Sequence, residues 1–175
     1  MEKRSQITSR LKSLARAHMG ACGKPSTNTP ATLSSPTADE VRAVAIQLFQ
    51  ALAHMHQSGY FHRDLKPDNI LVSDDVVKVA DLGMAREFSI DGDDMYTKYV
   101  TTRWYRAPEV LLRTTTYGPA VDMWAMGAIM ASCSLQCLCF EGPGFGGSMW
   151  KICRVIGTPT EETWEEGLYY AQEVL

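Results

Sequence analysis

A mainly α-helical chain with one small β-hairpin is the fold class that this sequence predicts, and three stretches predict it. Thr37-Ala38-Asp39-Glu40 is a capping-box pattern, and Val41, Val44, Ala45, Leu48, Leu52 and Met55 follow it at helical spacing. Ile70-Leu71-Val72 and Val76-Val77-Lys78-Val79 are β-branched runs on either side of Ser73-Asp74-Asp75, the pattern of a tight hairpin. Met123 to Phe140 carries no charge and begins inside a helical pattern that starts near Pro119.

Composition bounds the rest. The chain has 175 residues, 45% hydrophobic and 21% charged, enough for one ordinary core. A net charge of −3 gives no electrostatic footprint for nucleic acid. The uncharged stretch is near the minimum for a membrane span. Gly127, Ser132, Ser134 and Gln136 dilute it, and Asp122 and Glu141 close it off, so it reads as a buried core helix running into a loop, with no membrane partner. Five cysteines form no regular framework, and no His or CxxC accompanies Cys133, Cys137 and Cys139. Reduced thiols in an intracellular protein, cytoplasmic or nuclear, are the expectation.

In chain order, Met1 to Lys24 is basic, with Glu2 its only acid. Such Arg- and Ser-rich beginnings occur in transit peptides. Here Ile7, Leu11 and Leu14 make only a thin apolar stripe, which favours a disordered tail. Pro25 to Pro36 is rich in Ser, Thr and Pro and buries too little surface to order itself. Residues 1–36 therefore read as a tail and 37–175 as the folded part. Asp39 to Gln57 is expected to be a helix that stops at Gly59. The hairpin comes next, then a polar stretch to Val100, then a short helix opened by Pro108 with Glu109 near its positive end. A more apolar helix is expected from Pro119 to about Ala131. Met149 to Leu175 alternates apolar and acidic residues and is broken at Gly157-Thr158-Pro159.

The chemistry concentrates between the first helix and the hairpin, in His62-Arg63-Asp64-Leu65-Lys66-Pro67-Asp68-Asn69. The predicted hairpin carries Asn69 at one end and Asp81-Leu82-Gly83 at the other, which brings two metal-capable groups together. Phosphoryl transfer needs positioned phosphates, divalent cations and an oriented nucleophile rather than covalent help. Asp64 can orient an attacking hydroxyl or take its proton, Lys66 can place positive charge beside a migrating phosphoryl group, and Asn69 and Asp81 offer the oxygen ligands that magnesium prefers. Each residue alone would be an ordinary loop residue. Their order and spacing together are not.

This pattern resembles the catalytic loop and metal-binding turn of eukaryotic protein kinases. Lys66 marks the serine/threonine form of the loop. Thr97-Lys98-Tyr99 and Val100-Thr101-Thr102-Arg103-Trp104-Tyr105-Arg106-Ala107-Pro108-Glu109 resemble the activation segment of the CMGC group, which contains the cyclin-dependent and MAP kinases. Lys151-Ile152-Cys153, Val155-Ile156-Gly157-Thr158-Pro159 and Trp164 are most similar to the MAK-like (male germ cell-associated) kinases. The resemblance runs from about Pro36 to Leu175, broken between Ser132 and Met149. It implies the large, C-terminal lobe of a protein kinase-like fold, truncated, with ATP and Mg2+ as cofactors, a protein substrate and an upstream activating kinase as partners.

The resemblance also implies individual roles. Asp64, Lys66, Asn69 and Thr102 would be catalytic, with Thr102 bridging Asp64 and Lys66. Lys66, Asn69 and Asp81 would hold the nucleotide, and Asn69 and Asp81 the metal. Thr97 and Tyr99 would be phosphorylated, and a phosphate on Thr97 would meet arginines such as Arg63. Arg106 would shape the pocket for the residue after the phosphoacceptor, often proline. Asp122 would hold the catalytic-loop backbone from beneath. Glu109 would pair with an arginine late in the domain.

Three departures limit that picture. No glycine-rich strand pair, Val-Ala-Ile-Lys strand or partner glutamate precedes Thr37, and Lys24 follows no strand. Gly142-Pro143-Gly144-Phe145-Gly146-Gly147 satisfies G-x-G-x-x-G but stands after the catalytic loop, so it reads as a flexible loop. The arginine expected to pair with Glu109 would lie beyond Leu175, which leaves Glu109 solvated or its surroundings loosened. Leu82 stands where phenylalanine is usual. The catalytic residues favour an ATP-dependent serine/threonine kinase. The missing ATP lobe favours the alternative, a non-catalytic kinase fragment that binds substrates or partners.

Overall fold

In the computed structural model, residues 37–73, 76–88, 103–114, 116–135 and 137–174 are described. The tail at 1–36 and the positions Thr97, Tyr99 and Thr102 lie outside them.

Helix α1 spans Ala38–Gln57. Its capping box forms as the spacing predicts: the Glu40 amide donates to Thr37 Oγ1 at 3.2 Å, and the Thr37 amide donates to Glu40 Oε2 at 2.7 Å. Val44, Ala45, Leu48 and Leu52 face the core, and Leu48 and Leu52 are each only 1% exposed. Burial of a leucine side chain contributes about 1.5–3 kcal/mol. Helix α1 is thereby fixed under everything that follows.

Gly59, at φ 81, turns the chain out of α1 into β1 (Tyr60–Phe61). Strands β2 (Ile70–Ser73) and β3 (Val76–Val79) form the expected antiparallel hairpin, with Ile70 opposite Val79 and Val72 opposite Val77. Ile70 and Val77 point inward and Leu71 and Val76 outward, the period of two that a half-buried ribbon requires. Gln47 of α1 accepts the Val77 N–H at 3.0 Å, which ties the hairpin to the helix. Strand β4 (Arg86–Glu87) pairs with β1 and so closes residues 62–85 into one loop. Phe61, fully buried, packs edge-on against Phe88 and Tyr117 and anchors that closure.

Four further helices complete the described residues: α2 (Pro108–Leu111), α3 (Ala120–Leu135), α4 (Gly144–Ile156) and α5 (Glu161–Val174). Helix α3 buries Val121, Ala125, Met126, Ala128 and Ile129 and runs one turn past the predicted end. No helix among the described residues is long and apolar enough to cross a membrane. The glycine-rich run corrects the sequence reading. Gly144 to Gly147 are the first turn of α4 rather than a flexible loop. The chain before them doubles back so tightly that a Cβ on Gly142 would lie 2.3 Å from the Gly147 carbonyl carbon. The glycines serve packing at this turn. Gly157, at φ 96, ends α4 where the Gly-Thr-Pro signal places the break.

Candidate active site

The closed loop between β1 and β4 carries the chemistry, and the α3 helix beneath it supplies its foundation. Asp122, near the start of α3, is 1% exposed. Its Oδ2 accepts the His62 N–H at 2.8 Å and its Oδ1 accepts the Arg63 N–H at 2.9 Å. Arg63 sits at φ 71, a conformation that a non-glycine residue adopts only when its surroundings hold it there. Asp122 does so by taking both N–H groups at that bend. The Arg63 guanidinium donates to the Tyr117 hydroxyl through Nε at 3.1 Å and Nη2 at 2.5 Å, and lies over the Tyr117 ring.

Past the bend, Asp64 is 8% exposed. Lys66 Nζ donates to its Oδ2 at 2.5 Å, and Asn69 Nδ2 donates to its main-chain carbonyl at 2.8 Å. Pro67 sets the φ of a single 3-10 turn, Pro67–Asn69, that folds Asn69 back onto Asp64. The fully buried His62 ring links this loop to the far end of the hairpin. Its Nε2 donates to the Ala80 carbonyl at 3.0 Å, and its Nδ1 accepts from the Asp64 amide at 3.3 Å. Those two bonds define the neutral Nε2–H tautomer. The Ala80 amide donates to the Asn69 carbonyl at 2.8 Å, so the ladder continues past Ile70–Val79 to an Asn69–Ala80 pair, and Asp81 follows Ala80 in the chain.

Asp81 itself is exposed and left-handed, at φ 63 and ψ 63, and leads into a 3-10 turn, Leu82–Met84. Aspartate is one of the few residues that visits this region readily. The donor set fits magnesium. Asn69 uses its Nδ2 on Asp64, which leaves Oδ1 to a cation, and Asp81 adds a solvent-facing carboxylate. Two protein oxygens are what magnesium takes where phosphate oxygens complete its shell.

Arg106 lines a small cleft with Arg63, Asp64, Lys66 and Tyr105, floored by Val110 and Ala125. Burial pushes the Tyr105 phenol above its ordinary range. Glu109, in the first turn of α2, has no ionic partner among the described residues, and burial raises its carboxyl above the usual 4.5. Thus Asp64, Lys66, Asn69, Arg63 and Arg106 converge, Asp122 underlies them, and Glu109 stands apart.

The protein kinase domain model matches residues 25–170, well over half of the chain. This chain belongs to the protein kinase family. Cyclin-dependent kinase F-4 of Oryza sativa subsp. japonica is 57% identical over 133 residues, covering 76% of this chain and 28% of that protein. Serine/threonine-protein kinase MAK of Homo sapiens is 44% identical over 135 residues, covering 77% of this chain and 21% of that protein. Serine/threonine-protein kinase ICK of Rattus norvegicus is 48% identical over 128 residues, covering 73% and 20%. The serine/threonine, cyclin-dependent and MAK-like resemblance drawn from the motifs is borne out. The chain spans less than a third of the length of these relatives.

Two residues of the site escaped the sequence. His56, in the last turn of α1, reaches Asp122 Oδ2 with its Nε2 at 2.9 Å. Tyr117 holds Arg63. His56 and Asp122 are 66 positions apart, and no local pattern links them. The nearest signal was the Tyr117-Gly118-Pro119 turn ahead of α3, which reads only as punctuation.

Proposed function

We propose that this chain carries the substrate-side and metal-side half of an ATP-dependent protein serine/threonine kinase, proline-directed and intracellular, in cytoplasm or nucleus. The observation that carries the reading is the Asp64 carboxylate, held by Lys66 Nζ within a loop whose backbone rests on Asp122. Asp64 orients a serine or threonine hydroxyl and takes up its proton. Lys66 keeps positive charge at the same spot, where charge accumulates during transfer. Asn69 and Asp81 would hold magnesium, which when bound neutralises the phosphate oxygens of ATP. Arg106 shapes the cleft for the residue after the phosphoacceptor. Thr97 and Tyr99 are the sites for an activating kinase, Thr102 bridges Asp64 and Lys66, and Arg63 is a candidate partner for phosphate on Thr97.

Transfer of labelled γ-phosphate to Ser-Pro and Ser-Ala peptides tests this reading. The expected result is label on Ser-Pro, reduced by roughly a hundredfold or more in Asp64→Asn. Equal labelling by the Asp64→Asn variant would contradict it. The second reading is a fragment that binds substrates or partners without catalysis, through the cleft that Arg106 lines. It predicts that the Ser-Pro peptide binds and no label moves.

A further inference from the structure

Helix α4 carries an apolar stripe that runs on past the core that covers it. Ser148 and Ile152 are turned inward, at 0% and 2% exposure. Val155 and Ile156 follow Ile152 three and four positions on, which places them on the same side of the helix. They are 64% and 61% exposed. After the break at Gly157 the chain enters α5, whose start holds Glu161, Glu162, Glu165 and Glu166, all exposed. Glu161 with Glu165, and Glu162 with Glu166, are like charges four positions apart, an arrangement that weakens a helix. Helix α5 contains no basic residue, and none of these four has an ionic partner among the described residues. The edge where α4 passes into α5 therefore fits an occupant that is apolar along one stripe and basic beside it.

The chain carries such a segment itself. Ile7, Leu11 and Leu14 stand at helical spacing, with Arg4, Arg10, Lys12 and Arg16 around them. Residues 1–36 hold six basic side chains and one acid, whereas residues 37–175 hold eleven and nineteen, so net charges of +5 and −8 share one molecule. The kinase domain model begins at residue 25, which leaves this segment outside the part shared with the family. Residues 17–36 join it to Thr37. A flexible linker of that length has a root-mean-square span of about 25 Å, against a radius of gyration of roughly 14 Å for a folded part of this size. It can reach any face. Tethering also sets the local concentration of the segment near the millimolar range, so a weak contact is enough to fill the surface.

We propose that residues 4–16 dock on the α4–α5 edge of their own chain, with Ile7, Leu11 and Leu14 covering Val155 and Ile156 and the basic residues meeting Glu161, Glu162, Glu165 and Glu166. A segment too polar to order itself is ordered by a surface that supplies both the apolar area and the opposite charge. This docking is independent of the kinase reading.

Amide hydrogen exchange of residues 4–16 tests it, measured in the full chain and in a free synthetic peptide of residues 1–24. The expected result is exchange slower by roughly tenfold or more in the full chain, independent of protein concentration. Val155→Ser with Ile156→Ser, and separately Glu161→Lys with Glu165→Lys, should each return the segment to the rate of the free peptide. Adding Arg10→Glu and Arg16→Glu to the glutamate variant should restore protection, which a merely weakened helix would not allow. Equal rates in the wild-type chain and the peptide overturn the proposal. So does protection that survives both pairs of substitutions, which would put the segment on another surface, or protection that grows with protein concentration, which would put it on a second copy. If the Val155 and Ile156 variant does not fold, the charge exchange decides, since Glu161 and Glu165 are exposed: rescue supports the docking and failure of rescue refutes it. No nucleotide or substrate enters the measurement, so its outcome is separate from that of the phosphate-transfer assay.

Discussion

Asp64 and Asp81 are the two carboxylates on which the proposed chemistry depends, and the fold treats them oppositely. Asp64 is buried, paired with Lys66, and seated on a backbone held by Asp122 and His62. Asp81 is exposed and left-handed, and its side chain does not cap the turn that it opens. A group that must meet a substrate hydroxyl at one fixed position has to be organised before the substrate arrives. A group that closes on a cation can be organised by that cation. One half of the site is therefore built by the protein alone, and the other is left for its ligand to complete.

The sharpest way to break this contrast is to remove the foundation of the built half. Asp122→Ala leaves the buried His62 and Arg63 N–H groups without an acceptor, and urea unfolding is expected to show a loss of about 3 kcal/mol or more. A loss no larger than that of an exposed substitution would mean that the loop does not depend on Asp122. Lys66→Met comes next. It strips the cation from a carboxylate that is almost fully buried, and the expected cost is about 1–3 kcal/mol by the same measurement.

Glu109 supplies an intermediate case, less buried than Asp64 and without an ionic partner among the described residues. Burial raises its carboxyl above 4.5. The folded chain therefore keeps this proton to a higher pH than the unfolded chain does. The contribution is fully present below about pH 4.5 and is lost as pH rises through the folded value. Glu109→Gln, which does not titrate, should match the wild type at low pH and exceed its stability above that window. Denaturation midpoints measured across pH would show this, and parallel profiles would contradict it. The smallest effect on stability belongs to Asp81→Asn, expected within about 0.5 kcal/mol of the wild type because the side chain touches little.

Much of this contrast was legible before any coordinates. The capping box at Thr37 and Glu40, the apolar stripe of α1 and the alternation of β2 and β3 are local patterns, and local patterns fix local structure. The hairpin carried the pairing of Asn69 with Ala80, one residue before Asp81, with it. What was not legible depends on contacts across the chain. His56 meets Asp122 only because α1 and α3 pack together, and Tyr117 meets Arg63 only because β1 and the start of α3 share an apolar cluster around Phe61 and Val121. Gly142 to Gly147 misled for another reason. Glycine signals flexibility and close approach alike, and here the backbone of Gly142 lies against that of Gly147.

Calorimetric titration of the purified chain with Mg-ATP, using Asp81→Ala as the control, tests most directly whether residues 62–81 form the metal-side half of a kinase site. The kinase reading predicts magnesium-dependent binding by the wild-type chain that disappears in Asp81→Ala. No binding by either protein, or binding that the substitution leaves intact, would contradict it.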